Sequence, residues 1–216
     1  VDIWGVTNGT ESGTQTATAT IRDDDGAPTV TLAVDQATIA ENAGVAKFTA
    51  TLSNASTQAV TVDLGFTGTA TLTADYTRTG TQIVIAAGSL SGFVTVTAVP
   101  DTVFEGDETI VVDIWGVTNG TESGTQTATT TITDDDPTPS LSIDDVTVDP
   151  EGNAGTKQAV FTVTLSAASG RPVTVNWATA DGTAKQPGDY ASGNGTLKFD
   201  AGVTTRTITV AITGDL

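Results

Sequence analysis

Between residues 28 and 136, apolar positions recur every second residue rather than every third or fourth. In VAKFTATLS (45–53), Ala46, Phe48, Ala50 and Leu52 alternate with Lys47, Thr49 and Thr51. Successive side chains of an extended chain point to opposite sides, so this alternation predicts a strand with one buried face. AVTVDLGF places Val60, Val62, Leu64 and Phe66 on one side. TIVVDIWGVT sets Ile110, Val112 and Ile114 against Val111, Asp113 and Trp115. TVTLAV, TQIVIAAG, GFVTVTAV and GTQTATTTI complete the series, and Asn119-Gly120 is a tight hairpin signal. About seven short strands with turns between them, in a unit of about 110 residues, predict an all-β sandwich.

The pattern repeats. VDIWGVTNGTESGTQTATATIRDDD (Val1–Asp25) returns as VDIWGVTNGTESGTQTATTTITDDD (Val112–Asp136), differing only at Ala19/Thr130 and Arg22/Thr133. Weaker echoes link ENAGVAKFTATLSNASTQAVTVDL from Glu41 with EGNAGTKQAVFTVTLSAASGRPVTVNW from Glu151, and GTATLTADY with GTAKQPGDY. Self-similarity over a whole domain length predicts a tandem array. Residues 1–25 are expected to be the two-strand tail of a preceding unit, 28–136 a complete unit, and 139–216 an incomplete following unit. The chain opens inside the strand-like VDIWGVT, so it reads as cut from something longer, with any targeting signal outside it.

Thr is roughly one residue in five, which suits half-buried pleated strands. With no Cys, no Met and no His, Cys/His zinc sites, disulfides and Ser–His–Asp or Cys–His catalysis are excluded. Acidic residues number 26 against 8 basic ones, a formal net charge of -18, which argues against nucleic acid or an anionic membrane surface as partner. No apolar run is long enough to insert in a bilayer.

The acidic residues collect in particular loops: Glu41 in IAEN, Asp75 in TADY, Asp101, Glu105, Asp107 and Glu108 in PDTVFEGDE, and Asp134–Asp136 in DDD. Strand count puts the loop after the fifth strand and the exit of the seventh at the same end. At ~5 Å and an effective dielectric of ~20, each like-charge pair costs on the order of 3 kcal/mol. Such a cluster wants a counter-ion, and Asp, Glu and carbonyl oxygens suit Ca²⁺. The ordinary alternative is that acidic loops only confer solubility.

Glu41 before NAG, TLSNAS followed by VTVDL, GTA…DY, AVPDTVFEGDETIVVDI and the terminal DDD together resemble the Calx-β domain of sodium–calcium exchangers, integrin β4 and long bacterial surface proteins. VNWATADGTAKQPGDY in the last unit is nearer still to that pattern. The resemblance covers essentially the whole chain and implies immunoglobulin-like Greek-key β-sandwich repeats in tandem, binding Ca²⁺ at their distal loops. Carried over by position, the ligands of the middle unit are Glu41, Asp75, Asp101, Glu105, Glu108, Asp134, Asp135 and Asp136, with the carbonyl of Val103; Asp107 lies in the same loop. The first unit contributes Asp23, Asp24 and Asp25. The last offers Glu151, Asp189 and Asp215 but lacks the segment that completes its site, and Asp144 and Asp145 lie near the joint. One departure stands out. Where calcium-binding members often carry paired acids, this chain has Pro100-Asp101-Thr102, which implies fewer ions or weaker binding.

The leading functional expectation is an extracellular or cell-surface repeat module, stiffened by calcium at its DDD joint. It serves as spacer or adhesion segment, with neighbouring repeats, copies of itself, or an extracellular protein or glycan as partner. The alternative is a head-to-tail filament in which the N-terminal hairpin of one copy completes the C-terminal unit of the next. No enzyme motif is present; a two-carboxylate glycosidase lacks a pocket signature and sugar-stacking aromatics. The Thr ladders TQTATAT and TQTATTT read as outward strand faces. The Asn-Gly sequons are explained as turns, and Trp4, Trp115 and Trp177 as core or sheet-face residues.

Overall fold

The structure, a computed structural model, describes residues 1–22 and 24–215. The middle unit contains β1 (Thr29–Val34), β2 (Thr38–Ala40), β3 (Val45–Leu52), β4 (Val60–Gly68), β5 (Tyr76–Arg78), β6 (Gln82–Ile85), β7 (Ser91–Ala98), β8 (Glu108–Thr118), β9 (Thr121–Glu122) and β10 (Thr127–Thr133). The seven strands expected from alternation are β1, β3, β4, β6, β7, β8 and β10. The extra strands β2, β5 and β9 span three residues or fewer, too short for a period of two to register.

These strands form two sheets, ordered β5-β7-β3-β1-β9 and β2-β10-β8-β4-β6. Every successive strand changes sheet, with odd-numbered strands in one and even-numbered in the other, giving an immunoglobulin-like Greek-key sandwich. The inner faces hold the residues that the alternation selects: Ala46, Phe48 and Ala50 from β3, Val60, Val62 and Leu64 from β4, and Ile110, Val112 and Ile114 from β8 are all buried. Phe66 is half-buried at the end of the same face.

The β4–β8 ladder is irregular at one place. Leu64 pairs with Ile114, but Asp63 pairs with Gly116, leaving Trp115 as the extra residue of a β-bulge. The bulge shifts the inward phase by one, so Val117 packs against the core while Trp115 is 73% exposed.

The last unit contains β11 (Leu141–Ile143), β12 (Thr156–Leu165), β13 (Val173–Ala178), β14 (Asn194–Phe199) and β15 (Thr205–Thr213). Its sheets are β11-β12-β15 and β13-β14, around a smaller core with Phe199 fully buried and Val163, Leu165, Tyr190, Ile208 and Val210 nearly so. A cleft of about 470 Å³ opens beside that core, lined by Phe161, Trp177, Tyr190, Ile208 and Ile212 among others.

Residues 1–22 depart from expectation. In place of two strands they form a loose hairpin with a single bridge, Asp2 to Thr16, supported by Ala17 N–H donating to the Val1 carbonyl at 2.9 Å. Ile3 is 54% exposed, whereas Ile114, the same residue in the same local sequence, is 8% exposed. In the middle unit β8 lies between β4 and β10 and covers an opposing sheet; residues 1–7 have no such neighbours, so nothing rewards the extended conformation. Among the described residues no helix is long and apolar enough to cross a membrane.

Candidate metal centre

Strand register brings the acidic segments to one end of the middle sandwich. β2 runs parallel to β10 with Ala40 beside Thr133, so the next residues, Glu41 and Asp134, leave the sheet side by side; Glu41 N–H donates to the Thr133 carbonyl at 3.1 Å. On the other side of β10, Ile132 pairs with Glu108 of β8. Asp75 comes from the β4–β5 loop, in a turn where its carboxylate accepts the Thr71 N–H, and its carbonyl accepts the Val99 N–H at 2.9 Å. That last bond holds the loop beside the β7–β8 segment, which carries Asp101 and Glu105.

The result is two groups of three carboxylates. Oxygens of Glu41, Asp101 and Asp136 lie within 4.8 Å of one another, as do oxygens of Asp75, Glu105 and Glu108. Asp134 serves as the frame between them. Its Oδ2 accepts from Glu105 N–H at 2.9 Å and from Gly106 N–H, and its Oδ1 accepts from Asp136 N–H at 2.9 Å. A small cavity of about 10 Å³ is lined by Glu41, Asp75, Glu105, Glu108 and Asp134, closed by Val99 and Ile132. That is close to the space of one water-sized sphere.

The electrostatics follow from this crowding. Burial, the hydrogen bond to Asp75 and the nearby charges of Asp75 and Glu105 push Glu108 up to about 7. Burial and the Asp101 charge raise Glu41, and burial with Asp75, Asp101 and Asp134 raises Glu105. Asp136 is raised by burial and by Asp134, Asp101 and Asp135. Asp134 goes the other way: burial opposes its charge, but the N–H groups of Asp136, Gly106 and Glu105 outweigh burial and hold it low.

The donor set is entirely oxygen, which suits a hard divalent cation. Asp136 Oδ2 is enclosed and has no hydrogen-bond partner, although buried polar atoms are normally paired. An orphaned carboxylate oxygen beside Glu41 and Asp101, and an ion-sized space among Glu41, Asp75, Glu105, Glu108 and Asp134, fit a bound cation.

Six of the residues selected from sequence, Glu41, Asp75, Asp101, Glu105, Glu108 and Asp136, thus fall in the two groups. Asp135 is exposed, and its backbone N–H is what reaches Glu41. Val103 donates its N–H to Asp101 Oδ1 at 2.7 Å, shaping the loop. Asp107 accepts the Asp134 N–H at 3.2 Å, a supporting role. Among the described residues, Asp24, Asp25, Glu151, Asp189 and Asp215 join neither group. Asp23 lies outside the described residues. Asp25 sits beside Pro28 and Asn119, at the far end of the strands from the two groups. Asp189 repeats the Asp75 turn, accepting Lys185 N–H at 2.6 Å, while Glu151 and Asp189 border the open cleft of the last unit and Asp215 is exposed. Asp144 and Asp145 are exposed and in neither group; Asp144 follows β12 through its N–H to the Thr162 carbonyl at 3.1 Å.

Sequence reasoning missed the contact from the next unit. Between β12 and β13, Gly170 N–H donates to the Phe104 carbonyl at 3.0 Å, and the buried Ser169 hydroxyl reaches the same carbonyl at 3.3 Å. Arg171 then lies against Gly106, where its charge favours ionised Glu105 and Glu108. Nothing in the local GRP sequence marks it, because its partners lie 65 residues away along the chain.

The sequence pattern of the Calx-beta domain matches residues 23–136 and 138–216. The chain belongs to the Calx-beta family. No curated protein matches this Calx-beta chain. Among solved structures it is similar to "CBD12 from CALX1.2", with 20% identity and TM-score 0.44 over 85% of this chain and 74% of that one. It is also similar to "calcium binding domain CBD12 of CALX1.1", with 19% identity and TM-score 0.42 over 86% and 76%. The apo-form Calx CBD1 domain matches with 21% identity and TM-score 0.42 over 50% of this chain and 99% of that one.

Proposed function

We propose that the chain is a calcium-binding structural module of a larger extracellular or cell-surface protein, in which Ca²⁺ stiffens the joint between successive sandwiches. Membership of the Calx-beta family supports the ion, and the enclosed, unpartnered Asp136 Oδ2 is the observation that carries it. Glu41, Asp101 and Asp136 would hold one ion, and Asp75, Glu105 and Glu108 a second. The ion supplies positive charge that relieves carboxylate repulsion; it does no bond chemistry, and the module is read as spacer or adhesion segment rather than enzyme. The Asp134–Asp136 segment leads directly to Pro137 and the next unit, so fixing it fixes the angle between units. Near-identical repeats favour a spacer, which needs copy number more than distinct surfaces. The test is thermal unfolding in excess chelator, in calcium and in magnesium. At a free concentration 100 times the dissociation constant, one site adds about 2.7 kcal/mol. A calcium-specific rise that disappears in the Asp134/Asp135/Asp136→Asn variant is expected; no rise, or an equal one with magnesium, overturns the reading.

A second reading is association of copies by strand complementation. Val1, Ile3 and Val6 are exposed although their counterparts Val112 and Ile114 are buried and Val117 packs on the core, and the last unit carries an open apolar cleft beside β13. The hairpin of one copy would lie along β13 of another, as β8 lies along β4. Sedimentation velocity over a concentration series checks it: mass growing with concentration, abolished by Ile3→Asp, is the expected result.

A further inference from the structure

The outer edge of the middle sandwich carries a cleft that shares no residue with the carboxylate groups. Trp115, the extra residue of the β8 bulge, lies on the outward phase of the strand, where it is 73% exposed. Single exposed aromatics are common and carry little meaning. Here the local structure is arranged around the ring. Trp115 lies across Gly65 of β4: a β-carbon at Gly65 would fall 1.9 Å from the indole Cε2, so only glycine admits the ring. Bulges are over-represented at sheet edges and next to functional sites.

In front of the indole is a cleft of about 380 Å³, lined by Asp63, Gly65, Phe66, Arg78, Gln82 and Trp115 among others. Its polar groups are placed and only partly used. Gln82 Nε2 donates to Asp63 Oδ1 at 2.6 Å, which orients both side chains and leaves the Gln82 carbonyl as an acceptor. The Arg78 guanidinium stacks 4.4 Å above the Phe66 ring. Among the described residues it makes no ion pair, notable in a chain with a net charge of -18. Stacking fixes the guanidinium plane while its N–H groups stay available.

We propose that this cleft binds a neutral hexopyranose unit of a glycan. The C–H face of a pyranose ring stacks on a flat aromatic surface, and its hydroxyls need donors and acceptors together at the rim. Trp115 supplies the platform, Asp63 and Gln82 the acceptors, and Arg78 and the indole N–H the donors. Aromatic lining with a few placed polar groups is the usual composition of a small-ligand site. One cation beside one carboxylate favours a neutral sugar over an anionic one. The residues VDIWGVT recur at Val1–Thr7, so an array of such units would present the tryptophan once per repeat, and weak single contacts would add through multivalency. The site is independent of calcium.

The experiment uses the whole chain in excess chelator, so that failure here is separate from failure of the calcium reading. Maltoheptaose, cellohexaose, mannohexaose and chitohexaose are titrated at millimolar concentrations, with tryptophan fluorescence and affinity electrophoresis as readouts. Binding of at least one is expected, weakened about tenfold or more in Trp115→Ala with unchanged melting temperature, and unchanged in Trp4→Ala. Arg78→Ala and Gln82→Ala provide a second route should Trp115→Ala unfold; each lowers affinity. Absence of binding to all four sugars, or binding that survives Trp115→Ala or both of the other substitutions, overturns the proposal.

Discussion

The Arg171 guanidinium of the last unit rests on Gly106 of the middle unit, 2.8 Å from where a β-carbon would stand. Gly106 has φ of 73°, a backbone state that suits glycine, and its N–H is bound to Asp134. One glycine therefore serves the carboxylate frame and the contact between units. Gly106→Ala should cost about 1 kcal/mol or more from backbone strain alone and should weaken the contact between units. Differential scanning calorimetry in calcium, with small-angle scattering for the inter-unit distance, checks both.

Arg171→Ala removes a cation that favours ionised Glu105 and Glu108. In chelator the melting temperature should fall; in saturating calcium, which supplies the missing charge, the fall should be smaller. An equal fall in both conditions would mean that Arg171 acts only through packing.

Asp136→Asn should reverse sign with calcium. Without metal, the substitution relieves repulsion from Asp134, Asp101 and Asp135 and raises the melting temperature. With metal, it removes a ligand and lowers the apparent affinity. Paired melting curves and a calcium titration by calorimetry test the crossing.

Glu108 makes metal-free stability fall with pH. Its folded value of about 7 lies above the ordinary 4.5, so folding favours the protonated form. That contribution is complete below about 4.5 and is lost as pH rises through about 7. Melting temperature in chelator should decline across this window, and saturating calcium should abolish that decline. Calcium binding at pH 7 should also release protons, detected as a dependence of binding enthalpy on buffer ionisation heat.

Thr130 is fully buried on β10, and its hydroxyl has no partner. An unsatisfied buried hydroxyl costs about 1–3 kcal/mol. Thr130→Val, which keeps the shape, should raise stability by about 1 kcal/mol, read from urea denaturation.

The sandwich was legible because Phe48, Val62 and Val112 sit on strands long enough to show a period of two. The short strands β2 and β5 were not, yet β2 is what delivers Glu41. Acid content pointed to the loops that the fold gathers at one end, but not to the division of labour inside them. Glu41 and Asp136 offer carboxylate oxygens, Asp134 spends its own on backbone N–H groups, and Asp135 faces solvent. That sorting depends on local backbone direction. Arg171 was illegible for another reason, since the contact joins segments that only the folded joint brings together. The VDIWGVT sequence forms a strand at Val112–Thr118 but only the Asp2–Thr16 bridge at Val1–Thr7, because extended structure in this sequence belongs to its neighbours as much as to itself.

The two near-identical segments at Val1–Asp25 and Val112–Asp136 also bear on inheritance. A crossover between their coding sequences would delete or insert one whole sandwich with its carboxylate groups and tryptophan cleft, and would rejoin the chain within the same strand pair and DDD exit. Length would then change by whole repeats rather than by fragments of a sandwich.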